Sequence, residues 1–317
     1  MGARPVRAVV TRVAGIDCGT NSIRLLIGDL VGDGVPDGRL RDVHREMRIV
    51  RLGQGVDRTG RLAPDALDRT RAALTDYART IDELGARRVR MVATSATRDA
   101  ANRAEFVAMV RAVLGVEPEV ITGAEEAELS FVGAASVLGD ASGLMLVADI
   151  GGGSTELVRG GNGPLQSFSM DVGCVRMTER HLHDDPPTGP QIDATVADIR
   201  AAVSVARAHV PLDPRVTFIG VAGTVTTIAA IALGLDRYDA EAIHGFHISA
   251  AQVEKVTDDL LAMTHAERAA LPVMHPGRVD VIGAGALVLR TLVEEIGVAD
   301  VIASEHDILD GIALSLR

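Results

Sequence analysis

Leu146-Val-Ala-Asp-Ile-Gly-Gly-Gly-Ser-Thr-Glu-Leu-Val158 places three glycines between two apolar runs and reads as strand, tight turn, strand. The same pattern stands earlier, in Val13-Ala-Gly-Ile-Asp-Cys-Gly-Thr-Asn-Ser-Ile-Arg-Leu-Leu-Ile27. Asp17 aligns with Asp149, Gly19 with Gly151, Ser22 with Ser154 and Leu25 with Leu157, all at an offset of 132. A second pair follows at an offset of 129: Val92-Ala-Thr-Ser-Ala-Thr97 and Val221-Ala-Gly-Thr-Val-Thr226. Two matches at nearly one offset predict two related domains, because solenoid repeats have much shorter periods.

The chain has 317 residues, enough for two domains at about 150 residues each. In both halves short apolar or β-branched runs alternate with helical patterns, which predicts an α/β architecture. One helix is clear. Leu67, Thr70, Leu74, Tyr77, Ile81 and Leu84 recur at steps of three and four, Pro64 suits the first turn and Gly85 the stop. No linker rich in Pro, Ser or Gly separates the halves, and Asp184 to Pro190 reads as a surface turn within the second.

Composition excludes several classes. Hydrophobic residues make up 47% and charged residues 24%, as in a globular protein. A net charge of −11 argues against a nucleic-acid partner held by its backbone phosphates, and 2% aromatics without Trp argue against base stacking. Cys18 and Cys174 form no metal or disulfide framework and suit a reducing compartment. Met1 to Val6 lacks the apolar stretch of a signal peptide, and Val6 stands where a myristoylation signal needs Ser or Thr. The longest apolar run, Val221 to Leu235, is shorter than a membrane span of ~20 residues and holds three threonines. These features predict a cytoplasmic protein without a membrane partner.

A glycine-lined turn between strands gathers backbone N–H groups on one side, where they can hold an anion. In Asp149-Ile-Gly-Gly-Gly-Ser-Thr-Glu156 the glycines would clear the approach path, and Ser154 and Thr155 would add hydroxyl donors. Asp149 and Glu156 at the two ends repel phosphate unless a bound Mg²⁺ is shared between carboxylate and phosphate oxygens. The first turn, Gly19-Thr-Asn-Ser22, offers the same donors, with Arg24 as an added cation. Two such turns facing across a cleft would close on a polyphosphate.

Other patterns carry less. Cys18 to Arg24 has the C-x5-R spacing of thiol phosphatases, but the sequence continues as a strand where that chemistry needs a helix N-terminus. His181/His183, His244/His247 and His306-Asp307 have ligand-like spacing without evidence of convergence. Gly283-Ala-Gly-Ala286 reads either as a helix-packing run or as a close backbone approach to a nucleotide.

The chain resembles the exopolyphosphatase/guanosine pentaphosphate phosphohydrolase family. The matching stretches are Asp17-Cys-Gly-Thr-Asn-Ser, Arg51-Leu-Gly-Gln-Gly-Val-Asp, Ala93-Thr-Ser-Ala-Thr-Arg, Thr122-Gly-Ala-Glu-Glu-Ala, Asp149-Ile-Gly-Gly-Gly-Ser-Thr-Glu, Gly223-Thr-Val and Arg278-Val-Asp-Val-Ile. They run in family order from about residue 13 to the end. The resemblance implies two ribonuclease-H-like domains of the actin-like ATPase superfamily around a central cleft. Residues 1–124 and 125–317 would form them, with the last helix able to pack back on the first.

The resemblance also implies roles. Glu126 matches the catalytic base that activates water, and Asp149 and Glu156 match the acids associated with Mg²⁺. Thr20, Asn21, Ser22, Gly151, Gly152, Gly153, Ser154, Gly223 and Thr224 match phosphate-contacting positions, with Arg24, Arg98 and Arg278 as cationic contacts. The expected activity is release of terminal orthophosphate from inorganic polyphosphate, from guanosine pentaphosphate, or from both. A homodimer is expected because relatives often dimerise. Some members carry a further C-terminal HD-type region, and a chain lacking it would favour short substrates. Rival readings are an actin-like ATP-dependent small-molecule kinase and a polyphosphate or alarmone sensor without turnover. Glu126 in its Glu-Glu-Ala setting favours water as the acceptor.

Overall fold

Two β-hairpins, one per half, anchor two mixed sheets. The computed structural model describes residues 10–31, 40–135, 143–161 and 163–317. The readings made on Met1 to Val6 lie outside the described residues. The first sheet comprises β1 (Val10–Cys18), β2 (Ser22–Val31), β3 (Leu40–Ile49), β4 (Arg88–Ala93) and β5 (Glu119–Val120), in the order β3-β2-β1-β4-β5. The second comprises β6 (Met145–Ile150), β7 (Thr155–Gly160), β8 (Gln166–Met170), β9 (Thr217–Val221), β10 (His247–Ser249) and β11 (Asp300–Ala303). Its order is β10-β11-β9-β6-β7-β8.

Apart from the added edge strand β10, the two sheets share one topology: three antiparallel strands, then two parallel ones. This is the ribonuclease-H-like arrangement, present twice, as the internal repeat predicts. Both repeated pairs take equivalent places. Asp17 and Asp149 end their strands, while Val92-Ala93 and Val221 each lead from a parallel strand into a helix, Ser95–Asp99 and Ala222–Ala232.

The central strands are buried on both faces, which explains their nearly continuous apolar runs. On β1, Ala14, Ile16 and Cys18 enter the core beneath helix Pro64–Leu84, while Val13 joins Leu26, Leu309 and Ala313 on the other face. On β6, Leu146, Ala148 and Ile150 face the large second core, and Val147 meets Ala134. Helix Pro64–Leu84 has the sequence-predicted bounds. Pro64 opens it, Gly85 closes it at φ 71°, and the buried Tyr77 hydroxyl donates to the Ile23 carbonyl.

The inner faces are covered by exchange. Helix Gly123–Ala135 follows the last strand of the first sheet and packs on the second, whereas helix Ile308–Leu314 follows β11 and packs on the first. The two helices cross at glycines. A Cβ on Gly133 would strike the Asp307 carbonyl, and one on Gly311 would lie 2.1 Å from the Leu129 carbonyl oxygen. The apolar run from Val221 onward becomes the buried helix Ala222–Ala232, and no described helix is long and apolar enough to cross a membrane.

Candidate active site

Both hairpin turns open on one cleft between the sheets, with a cavity of about 100 Å³. Loop Gly19–Ser22 lines one side and loop Gly151–Ser154 the other. Asp17, Asp149 and Glu126 stand among them, and Arg278 and the start of helix Ala222–Ala232 close one end. A second cavity of about 510 Å³ adjoins it and shares Arg24, Ala222, Gly223 and Arg278. Its wall adds the apolar side chains of Met47, Val273, Met274 and Leu309, together with Tyr238 and Glu305.

The donors of the second loop are backbone groups. Thr155 donates its hydroxyl to the Val172 carbonyl and is committed within the protein, whereas Ser154 lines the cavity near Glu156. The carbonyls of Gly151 and Gly152 accept from the N–H groups of Cys174, Val175 and Arg176, at the start of helix Cys174–His181. Gly153 gives its carbonyl to Arg176 Nε at 2.6 Å. In a trans peptide the following N–H points opposite to the carbonyl. The N–H groups of Gly152, Gly153 and Ser154 are therefore turned the other way, and among the described residues none meets a backbone carbonyl. Such a run of N–H groups forms an anion nest. The first loop is built alike, with the carbonyls of Thr20 and Asn21 accepting from residues 50–53.

The glycines also make room within the protein itself. A Cβ on Gly153 would lie 2.2 Å from Ser95 Oγ and 2.6 Å from Thr20 Oγ1, and one on Gly152 would lie 2.9 Å from Thr20 Cβ. They clear room for the opposite half, so that the two loops interlock. At Gly223 the Arg278 guanidinium lies directly against the backbone, 2.2 Å from where a Cβ would stand. Ala222 takes a left-handed φ of 70°, so the helix begins abruptly at the cleft wall.

Glu126 lies in the first turn of helix Gly123–Ala135 and is 7% exposed. Burial raises its pKa from 4.5 to about 7, opposed by Arg98 and helped by the charges of Asp149 and Asp17. Four residues on, Ser130 donates to Asp149 Oδ2 at 2.5 Å. Burial and the Asp307 charge raise Asp149 to about 6. Asp17 is likewise raised by burial. Its Oδ2 accepts from Arg24 at 2.7 Å, while Oδ1 is buried and has no partner among the described residues.

The cations divide. Arg24 lines the cleft, but its guanidinium is bound by Asp17 and Asp307. Arg98 lies outside the cavity lining and holds Glu126 Oε2 at 3.0 Å and the Ile121 carbonyl. Arg278 meets the Thr227 hydroxyl at 3.2 Å and, among the described residues, forms no ion pair. Glu156, 1% exposed, pairs across the hairpin with Asp149 and accepts from Ser169 at 2.6 Å. It stands behind the cavity wall, and burial with the neighbouring Glu126 and Asp149 charges raises it well above its ordinary value. Asn21 reaches across the cleft to the Gly277 carbonyl.

Sequence reasoning left Asp17, Thr94, Ser95 and Ser130 without a role, although Asp17 aligns with Asp149 and Ser130 follows Glu126 by one helical turn. His181 pairs with Asp198 and His247 with Asp300, while the His244 and His306 rings meet edge to face with centroids 4.8 Å apart, their Nδ1 atoms engaged by the Glu305 N–H and by Asp310. Among the described residues no group of three or more His, Cys, Asp or Glu forms a ready metal cage. The Cys18 thiol is pushed well above its ordinary value by burial and Asp17, so it supplies no thiolate. Gly285 packs against Thr224 and Cys174, the helix-packing reading of its run.

The sequence model of the Ppx/GppA phosphatase family matches residues 32–316. The chain is 55% identical to exopolyphosphatase 2 of Mycobacterium tuberculosis over 97% of its own length and 99% of the relative's. Among solved structures, it resembles an exopolyphosphatase-like protein with a TM-score of 0.91 and 45% identity, covering 96% of this chain and 97% of the other. The Aquifex aeolicus member of the Ppx/GppA family matches with a TM-score of 0.80 and 32% identity, over 97% of each chain.

Proposed function

Because the chain belongs to the Ppx/GppA phosphatase family, we propose that it is a phosphoanhydride hydrolase releasing terminal orthophosphate from inorganic polyphosphate. The observation that carries this reading is the meeting of two anion nests with the raised carboxylate of Glu126 in a single cleft. Phosphoryl transfer asks a protein mainly for positioning and charge neutralisation, and this geometry supplies both. The N–H groups of the two loops hold the terminal phosphate. Arg278 and the first turn of helix Ala222–Ala232 hold the next one. Glu126 takes a proton from the attacking water on the oxygen that Arg98 does not hold. Water oxygen bonds to the terminal phosphorus as the bridging P–O bond breaks, and the shortened chain leaves with the bond's electrons on its oxygen.

The residues fit a divalent cation. Asp17 carries a buried oxygen with no partner among the described residues, and burial raises Glu126 and Asp149 beside it despite the opposing charges of Arg98 and Arg24. Asp17 and Asp149 would hold Mg²⁺, with Glu156 behind them. When bound, the ion neutralises phosphate charge.

Guanosine pentaphosphate is a second reading, favoured by the adjoining cavity of about 510 Å³ with its partly apolar wall. The test is orthophosphate release with Mg²⁺ from defined polyphosphates, from guanosine pentaphosphate, and from ATP with candidate acceptors. Release from polyphosphate, lost in Glu126→Gln, is expected. ATP consumption only with an acceptor means a kinase, and tight binding without release means a sensor; either overturns the proposal.

A further inference from the structure

Arg176 touches both halves of the molecule. Its Nε donates to the Gly153 carbonyl, its NH1 pairs with Asp57 at 2.5 Å and its NH2 with Asp99 at 2.6 Å. Gly153 belongs to the second sheet's hairpin, whereas Asp57 and Asp99 lie on helices Val56–Thr59 and Ser95–Asp99 of the first half. The side chain is only 11% exposed. Neighbours reinforce the seam: Arg180 pairs with Asp57 at 2.7 Å, and Glu179 accepts from the Gly55 N–H at 3.0 Å.

Two of the three loop carbonyls are held by the backbone of helix Cys174–His181, within the second half. The third is held by a side chain whose remaining donors reach the first half. The Gly153 carbonyl and the Ser154 N–H share one peptide plane, so holding the former fixes the direction of the latter. The planar guanidinium allows all three contacts at once; an ammonium does not.

We infer that Arg176 is a positioning residue that aims the Ser154 N–H into the cleft and makes that aim depend on closure of the two halves over substrate. With the cleft open, Asp57 and Asp99 withdraw, Arg176 loses two of its anchors and the Gly153–Ser154 peptide is free to turn. With the cleft closed, the third donor of the nest locks in place. Hydrolysis is thereby suppressed until substrate has drawn the halves together.

The inference rests on the hydrolase reading, and its test separates the two. Wild-type protein, Arg176→Gln, Arg176→Lys and Asp57→Asn/Asp99→Asn are compared for kcat and KM on a short polyphosphate. Calorimetry measures tripolyphosphate binding in parallel. Arg176→Gln is expected to lower kcat by about 10–100-fold, less than the roughly 10²–10³-fold for outright loss of an oxyanion donor because the Ser154 N–H is misaimed and not removed. Arg176→Lys is expected to restore KM, because it keeps a cation opposite Asp57 and Asp99, but not kcat. The double Asn variant, which leaves Arg176 in place, should raise KM at least fivefold. A folded Arg176→Gln with kcat within twofold of wild type overturns the inference, as does Lys restoring both constants. Should Arg176→Gln fail to fold, an unchanged KM in the double Asn variant overturns it. If the wild type releases no orthophosphate, the hydrolase reading fails, and calorimetry still decides: at least tenfold weaker tripolyphosphate binding by Arg176→Gln supports the positioning role, and unchanged binding ends it.

Discussion

Glu126 combines a cleft position with a pKa near neutrality, and the sign of its pH dependence follows. A general base works deprotonated, so turnover should rise with pH through an inflection at or below about 7 and then level off. Bound Mg²⁺ moves the inflection down, because a nearby cation favours the carboxylate. Glu126→Gln should abolish this limb and lower kcat by about 10²–10⁴-fold while leaving substrate binding nearly unchanged. A pH profile of kcat, with titration of a phosphate ligand, checks both. The motif singled out Glu126 in the sequence, and its side chain lines the cleft. The partners of Arg24 and Arg98 were not legible in the sequence: which carboxylate an arginine meets depends on residues such as Asp307, 283 positions away from Arg24. Ser130 shows the intermediate case, with correct helical spacing but no local sign that Asp149 lies opposite.

At the scale of elements, the glycine loops interlock across the cleft. Gly153→Ala places a methyl where Ser95 Oγ and Thr20 Oγ1 already stand, and those side chains or the loops must shift to admit it. Overpacking of this kind costs about 1–3 kcal/mol. The expected outcome is a Tm lowered by several degrees and a kcat/KM reduced at least 100-fold, measured together. Gly163→Ala is the control, because its added Cβ meets nothing within 4 Å. The duplication, the strand–turn–strand hairpins and helix Pro64–Leu84 were all readable, since each is written in local periodicity and caps. What the glycines face was not readable. An absent side chain records that something comes close without saying whether it is a ligand or another loop.

For the whole molecule, the cleft acids set how stability varies with pH. Glu126 has its folded pKa raised from 4.5 to about 7, so its stabilisation is fully present below 4.5 and is lost as pH rises through about 7. A shift of that size corresponds to about 3 kcal/mol. Asp149 acts in the same direction between 3.8 and about 6. Without Mg²⁺, melting curves should therefore show this contribution falling between pH 4.5 and 7.5. Glu126→Gln should flatten the change, and Mg²⁺ should restore wild-type stability at the upper end. An equal pH slope in wild type and variant refutes the assignment.

Because the first sheet takes its inner helix from the last residues of the chain, its half cannot finish that face of its core until the second half has been made. An N-terminal fragment carrying β1 to β5 leaves Val13, Leu26 and Leu30 without Leu309 and Ala313. Synthesis from the N-terminus must hold that greasy surface bare until residues 308–314 arrive. Deleting them should yield a product that binds hydrophobic dye and clumps, whereas the same segment added back as a separate peptide should rescue it.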